Sequence, residues 1–207
     1  MTVDTAVGRE SPRSKRSGIL TAAIEKFGRI GYEHTKWASI ADEVGIGQTA
    51  LYHYFESKAH CLLTIMRLEL ADSVERFVAA TEKEDDAERA LRAAVAAALD
   101  ATPTDALQRR ILQNHMDLLA APRQSEKEEA ERLRSRELVQ EIEQHWTGLV
   151  ARNIDSDFDS DRDPRMLGRL VLGMIISVWR WYRPDGDLSL SAITETVSDA
   201  AIRVVRE

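Results

Sequence analysis

The sequence predicts an all-α protein of about nine helices: an N-terminal three-helix helix-turn-helix domain followed by a larger helical domain. Three observations predict it. Apolar residues recur at three- and four-residue steps through most of the 207-residue chain. Glycine, proline and capping residues interrupt that period at short intervals. No segment alternates apolar and polar residues convincingly enough to read as a strand, and no internal repeat is visible.

Ile19, Leu20, Ala23, Ile24, Phe27 and Ile30 form the apolar stripe of the first helix, and Gly31 stops it. Trp37, Ile40, Ala41 and Val44 give a short second helix, with Thr35 placed as N-cap and Gly45 as terminator. A third starts after Gly47 and ends near Phe55. Ser57 caps a long fourth helix reaching about Ala80. Asp85 and Glu88 have capping-box spacing and open an alanine-rich helix over 86–101. Pro103 reads as a break before a helix over 105–120, and Pro122 as another. Ser125 and Glu128 open a charged helix to about Asn153. Asp163-Pro164 starts a strongly apolar helix that runs from Met166 to Trp181 and stops at Pro184-Asp185-Gly186. The last helix covers 189–205.

Composition narrows the function. The chain carries 28 Lys+Arg against 35 Asp+Glu, a net charge of −7. Residues 1–60 hold 8 basic and 7 acidic side chains, so the excess acid belongs to the remainder. Only Arg9 to Arg16 is clearly basic. Indiscriminate coating of nucleic acid is excluded, whereas a DNA-reading N-terminal part is not. The single cysteine, Cys61, excludes an internal disulfide and a cysteine-based zinc site. No pair of histidines has metal-ligand spacing on one helix, so no metal and no cofactor are expected. Asp155, Asp157, Asp159, Asp161 and Asp163 resemble a calcium loop only superficially, because Ser160 and Met166 stand where glycine and glutamate are required. The stretch reads as a solvated loop. The N-terminus lacks an apolar signal region, and the run Leu170 to Trp179 is too short to span a bilayer. A cytoplasmic location, away from membranes, is the expectation.

The informative segment is Thr35 to Lys58, TKWASIADEVGIGQTALYHYFESK. Two short helices flank a tight turn at Gly45-Ile46-Gly47. In the second, Leu51, Tyr54 and Phe55 share one face, and Gln48, Thr49, Tyr52 and His53 share the other. An uncharged hydrogen-bonding face on a short helix suits a recognition helix in the major groove. Gln48 can pair bidentately with adenine, and Thr49 can meet a base edge or a thymine methyl. Tyr52 and His53 suit phosphates. Two ordinary core helices with a polar outer face share this spacing.

The longer pattern separates the two. Gly31, Tyr32, Thr35, Ile40, Ala41, Gly45, Leu51, Tyr52, Tyr54, Phe55 and Lys58 match the N-terminal pattern of TetR-family transcriptional regulators, which the segment over roughly 13–62 resembles. Departures are Lys36 for a common Thr, Trp37 for Val or Met, Gly47 for Ser, Thr49 for Gly and Cys61 for Leu. They bear on the operator sequence more than on the activity. The resemblance implies a DNA-binding face of Arg13, Lys15, Arg16, Thr35, Lys36, Gln48, Thr49, Ala50, Tyr52, His53 and Lys58, with Lys58 on phosphate. It divides the chain into an arm over 1–12, a helix-turn-helix domain over 13–57, and an effector-binding and dimerisation domain over 58–207.

It further implies a homodimer on palindromic double-stranded operator DNA, released by a small-molecule effector, and no enzymatic activity. The expected dimer face is Leu167, Leu170, Val171, Met174, Ile175, Val178 and Trp179, with Gly168 and Gly173 permitting close approach. The expected effector lining is Leu99, Leu112, His115, Met116, Leu119, Leu138, Ile142, Trp146, Met174 and Arg180. The string Trp179 to Gly186 resembles the end of the penultimate helix in repressors of actinobacterial steroid and fatty-acid catabolism, which implies an acyl-CoA or another apolar metabolite as effector. A helical adaptor using the charged 125–153 helix, or a helical enzyme, is the alternative. The sequence holds no serine elbow, no phosphate-cradling glycine loop and no His-Glu-x-x-His.

Overall fold

The computed structural model describes residues 12–154 and 162–206. Among the described residues are nine α-helices and no strand. They are α1 (Pro12–Ile30), α2 (Trp37–Val44), α3 (Gln48–Tyr54), α4 (Lys58–Thr81), α5 (Ala87–Leu99), α6 (Pro103–Asn114), α7 (Glu126–Ala151), α8 (Pro164–Trp181) and α9 (Leu190–Arg206). A 3-10 turn, Met116–Leu119, follows α6. The residues before Pro12 and most of the aspartate-rich stretch, 155–161, lie outside the described residues.

Several boundaries differ from the sequence reading for local reasons. Lys36, not Thr35, occupies the N-cap of α2. Pro103 is the first residue of α6 rather than a break. Thr102 caps it, accepting the Asp105 N–H while the Asp105 carboxylate accepts the Thr102 N–H, so proline sits where its missing donor costs nothing. Asp86, one residue later than expected, caps α5 through the Arg89 N–H at 2.8 Å. Ser57, Ser125 and Asp163 accept the N–H groups of His60, Glu128 and Arg165, opening α4, α7 and α8.

The chain divides into two compact units, Met1–Leu62 and Leu63–Glu207. In the first, α1 packs on α2 and α2 on α3 around buried Ile19, Ala23, Phe27, Ile40 and Leu51. Phe55 is wholly buried and meets the Trp37 ring edge-on at 6.5 Å. Gly45 ends α2 at φ +68°, a left-handed conformation that glycine adopts without a Cβ clash. Cys61 is also fully buried, and loss of hydration pushes its thiol pKa well up.

In the second unit α8 packs on α7, α6 and α9, and α5 packs on α9. Leu91, Val95, Leu99, Leu138, Val150, Val171 and Val178 fill its core. Gly168 lets α8 approach α7 closely, since a Cβ there would stand 3.4 Å from the Thr147 Cα. Among the described residues no helix is long and apolar enough to cross a membrane, and no cluster of His, Cys, Asp or Glu suits a metal ion.

Candidate functional site

The first unit presents a short helix by one edge. Leu51 anchors α3 in the core, and Phe55 follows it into the same core. Gln48, Thr49 and His53 are exposed, Tyr52 is 49% exposed, and Ala50 and Tyr54 are half-buried. The outward edge therefore carries amide, hydroxyl, phenol and imidazole groups without a formal charge. Such an edge can exchange hydrogen bonds with base edges and phosphates. Lys36, Gln48, Tyr52, Ser57 and Lys58 share one open groove beside it.

Two predicted residues are built into the unit itself. Thr35 is 2% exposed, and its hydroxyl donates to the Gly31 carbonyl at 2.8 Å. The Lys58 ammonium donates to the Tyr32 carbonyl at 2.8 Å and the Thr35 carbonyl at 3.0 Å, and it lies 4.1 Å from the Tyr32 ring centroid. It thus ties the start of α4 to the loop between α1 and α2. An ammonium has three donors, so one remains for an outside oxygen. Arg13, Lys15 and Arg16 belong to the first turns of α1. Arg13 is exposed, Lys15 is partly exposed, and the Arg16 guanidinium sits 4.8 Å over the Phe55 ring.

The second unit holds a cavity of about 230 Å³ between α4, α5, α6, α7 and α8. Leu70, Phe77, Leu112, Met116, Ile142, Trp146, Leu172, Ile175 and Trp179 supply its apolar wall. Leu112, Met116, Ile142 and Trp146 are among the residues expected from sequence. Leu99, His115, Leu119, Leu138, Met174 and Arg180 lie outside the wall. Leu99, Leu119 and Leu138 pack in the core, and Arg180 is exposed.

Sequence reasoning missed the polar part of the wall. Glu69 and Arg109 are each 4% exposed and pair at 3.1 Å, and Arg76 Nη2 donates to the same Glu69 oxygen at 2.7 Å. Arg109 also donates to the Ala98 and Asp100 carbonyls, at 3.0 and 2.8 Å, and stacks 4.6 Å from the Trp179 ring. These bonds cap the C-terminal end of α5. Burial raises the Glu69 pKa, against the pull of Arg76 and Arg109. The visible signal was Glu69 and Arg76, seven apart and so on one face of α4.

The α8 residues expected at a dimer face divide into two sets. Leu167, Val171, Ile175, Val178 and Trp179 are buried against their own chain, Met174 is half-buried, and Leu170 is 53% exposed. Met166, Leu170, Gly173, Ser177 and Trp181, all exposed, follow one another at helical spacing along the outer side of α8.

A model of the tetR family of bacterial regulatory proteins matches residues 19–65, and a model of the tetracyclin repressor-like C-terminal domain matches 84–205. The HTH-type transcriptional repressor KstR2 of Rhodococcus jostii (strain RHA1) is 26% identical over 197 residues, 94% of this chain and 93% of the relative. The TetR family transcriptional regulator PfmR from Thermus thermophilus superimposes with a TM-score of 0.76 at 25% identity, covering 89% of this chain and 97% of that one. AibR in complex with isovaleryl coenzyme A and operator DNA shares the fold, with a TM-score of 0.68 at 20% identity and coverage of 91% and 96%. With both of its units matched, the chain belongs to the tetR family of DNA-binding transcriptional regulators, and it is a regulator rather than an enzyme.

Proposed function

We propose that the protein is a homodimeric repressor which holds a palindromic operator through α3 and leaves it when a small apolar effector fills the cavity. The observation that carries this reading is the continuity of α4. Its first residue, Lys58, is tied to Tyr32 and Thr35, and further along Glu69, Leu70, Ser73, Arg76 and Phe77 line the cavity. A ligand that reshapes the wall acts on the same helix whose first turn belongs to the reading unit. Release then follows by linkage: the effector lowers operator affinity by as much as it prefers the non-binding conformation. In a two-fold dimer the condition to be spoiled is a recognition-helix spacing of about 34–36 Å.

Gln48 and Thr49 would read bases, with Ala50 beside them. Lys36, Tyr52, His53, Arg13 and Lys15 would contact backbone, together with the remaining donor of Lys58. The exposed α8 row through Leu170 and Trp181 would meet its two-fold mate. The relative KstR2 is named a repressor and AibR was solved with an acyl-CoA, which support the direction of control and an acyl-bearing effector.

Fluorescence anisotropy with duplexes tiling the region upstream of the chain's own gene tests the reading. The expected result is one inverted-repeat duplex bound well above the others, and released by an apolar ligand that also changes tryptophan fluorescence. Absence of binding by folded, dimeric protein at low salt would overturn it.

A further inference from the structure

We propose that the cavity selects ligands whose buried part is uncharged and carries a neutral oxygen, a carbonyl or a hydroxyl, held by the Ser73 hydroxyl and the Gln113 carboxamide. The inference rests on the effector reading above and adds the ligand's chemistry.

The charged groups of the wall are already matched to one another. Glu69 accepts from Arg109 at 3.1 Å and from Arg76 at 2.7 Å, and Asp105 is a second carboxylate within electrostatic reach of both arginines. Two guanidiniums thus face two carboxylates. Arg109 spends its two Nη atoms on the Ala98 and Asp100 carbonyls, and the Arg76 Nε is sealed from solvent. The other acid of the wall, Glu143, is half-buried and pairs with Arg169 at 3.4 Å, where the cavity meets a groove between α7 and α8. A charged ligand group would therefore find no free counter-charge inside, and burying a charge without one is costly.

Two neutral groups of the wall are open. Ser73 stands four residues after Glu69 and four before Phe77, so it shares their face of α4. Gln113, on α6, follows Arg109 by four residues. Both line the cavity, and each is half-buried. Among the described residues neither the Ser73 hydroxyl nor the Gln113 carboxamide has a hydrogen-bond partner. Together they offer an O–H, an NH₂ and two acceptor oxygens. A ligand carbonyl can accept from both, and a ligand hydroxyl can accept from one and donate to the other.

The remaining wall sharpens the choice. Leu70, Leu112, Met116, Ile142, Trp146 and Trp179 give it apolar surface. A few polar groups in such a cavity fix a ligand's orientation, and an analogue without the oxygen leaves them unpaired. The volume of about 230 Å³ lies below the ~300–1,000 Å³ usual for drug-sized ligands, so the buried body is small.

Calorimetry and tryptophan fluorescence on the full chain test this with probes of matched shape. One series is 4-phenyl-2-butanone, 4-phenyl-2-butanol, butylbenzene, 3-phenylpropanoate and 3-phenylpropylamine. The other is 2-nonanone, 2-nonanol, octanoate and octylamine. The expected result is binding of a ketone or alcohol from at least one series, with the matching hydrocarbon, acid and amine about 10-fold weaker or more. Ser73→Ala and Gln113→Leu should each weaken that binding about 3- to 10-fold. Butylbenzene binding unchanged in both variants would show that the cavity is intact. Octanoyl-CoA separates two sources of the same carbonyl. Binding tighter than that of 2-nonanone, and weakened by the same variants, assigns the oxygen to an acyl thioester; weaker binding assigns it to a free ketone or alcohol. An acid or amine binding more tightly than its ketone, or ketone affinity unmoved by both variants, would overturn the neutral-oxygen inference and leave the effector cavity standing. Failure of every probe to bind would sink both.

Discussion

Lys58 spends two of its three donors inside the protein, on the Tyr32 and Thr35 carbonyls. Lys58→Met should therefore lower stability by about 2 kcal/mol, the loss expected for hydrogen bonds made by a charged group. Chemical denaturation of the two proteins checks this. A variant of unchanged stability, with only a shallower salt dependence of DNA binding, would make Lys58 a phosphate contact and no brace. Glu129 gives a pH signature. Hydrogen bonds from Arg132 at 2.8 and 2.6 Å, with the Arg123 N–H at 2.8 Å, hold its pKa at about 2 instead of 4.5. Because the folded value is depressed, its contribution is present above about pH 4.5 and is lost as pH falls towards 2. Wild type should unfold at a higher temperature than Glu129→Gln at pH 7, and the two melting curves should converge near pH 2. A gap that persists at pH 2 would assign the difference to shape and not to charge.

At the scale of the element, α8 has two faces with different work. Leu167, Val171 and Val178 are buried in their own chain, whereas Leu170 and Trp181 are exposed. Leu167→Ala should cost about 2–4 kcal/mol of stability through the space it leaves. Leu170→Glu should leave helicity and cavity intact and shift the protein to monomer in analytical ultracentrifugation. A dimer that survives this change would place the interface elsewhere. Sequence showed that α8 is too apolar for one solvated face, but not which residues point inward. That division depends on α7, which Gly168 allows to approach. Local devices were easier to read. Gly45 and the Asp163-Pro164 start act within a few residues, so their chemistry is visible in the string itself. Arg109 works with partners 9 to 40 positions away, so only folding discloses it.

For the molecule as a whole, the net charge of −7 sets how DNA is bound. The acidic excess of residues 61–207 opposes the duplex, so cations of the N-terminal unit and specific contacts hold the complex. Arg13, Lys15, Lys36 and Lys58 amount to eight cations in the proposed dimer, which predicts a slope of log affinity against log salt of about −7. Anisotropy titrations at several salt concentrations measure it. A slope near zero would remove these residues from the backbone contacts. The helical fold class and the bounds of the short third helix were legible in the sequence because both rest on short-range period and spacing. The cavity was half legible. Its apolar wall follows from helical stripes, whereas its charged patch brings together α4 and α6.

Cys61 has a practical corollary. The chain has no other cysteine, and this thiol is sealed in the core and protonated at neutral pH. Maleimides should leave the native protein unlabelled, so a cysteine installed at exposed Thr49 would be its sole reactive thiol. In the proposed dimer, a spin label or dye pair there would turn the spacing between the two α3 helices into a ruler, read before and after ligand.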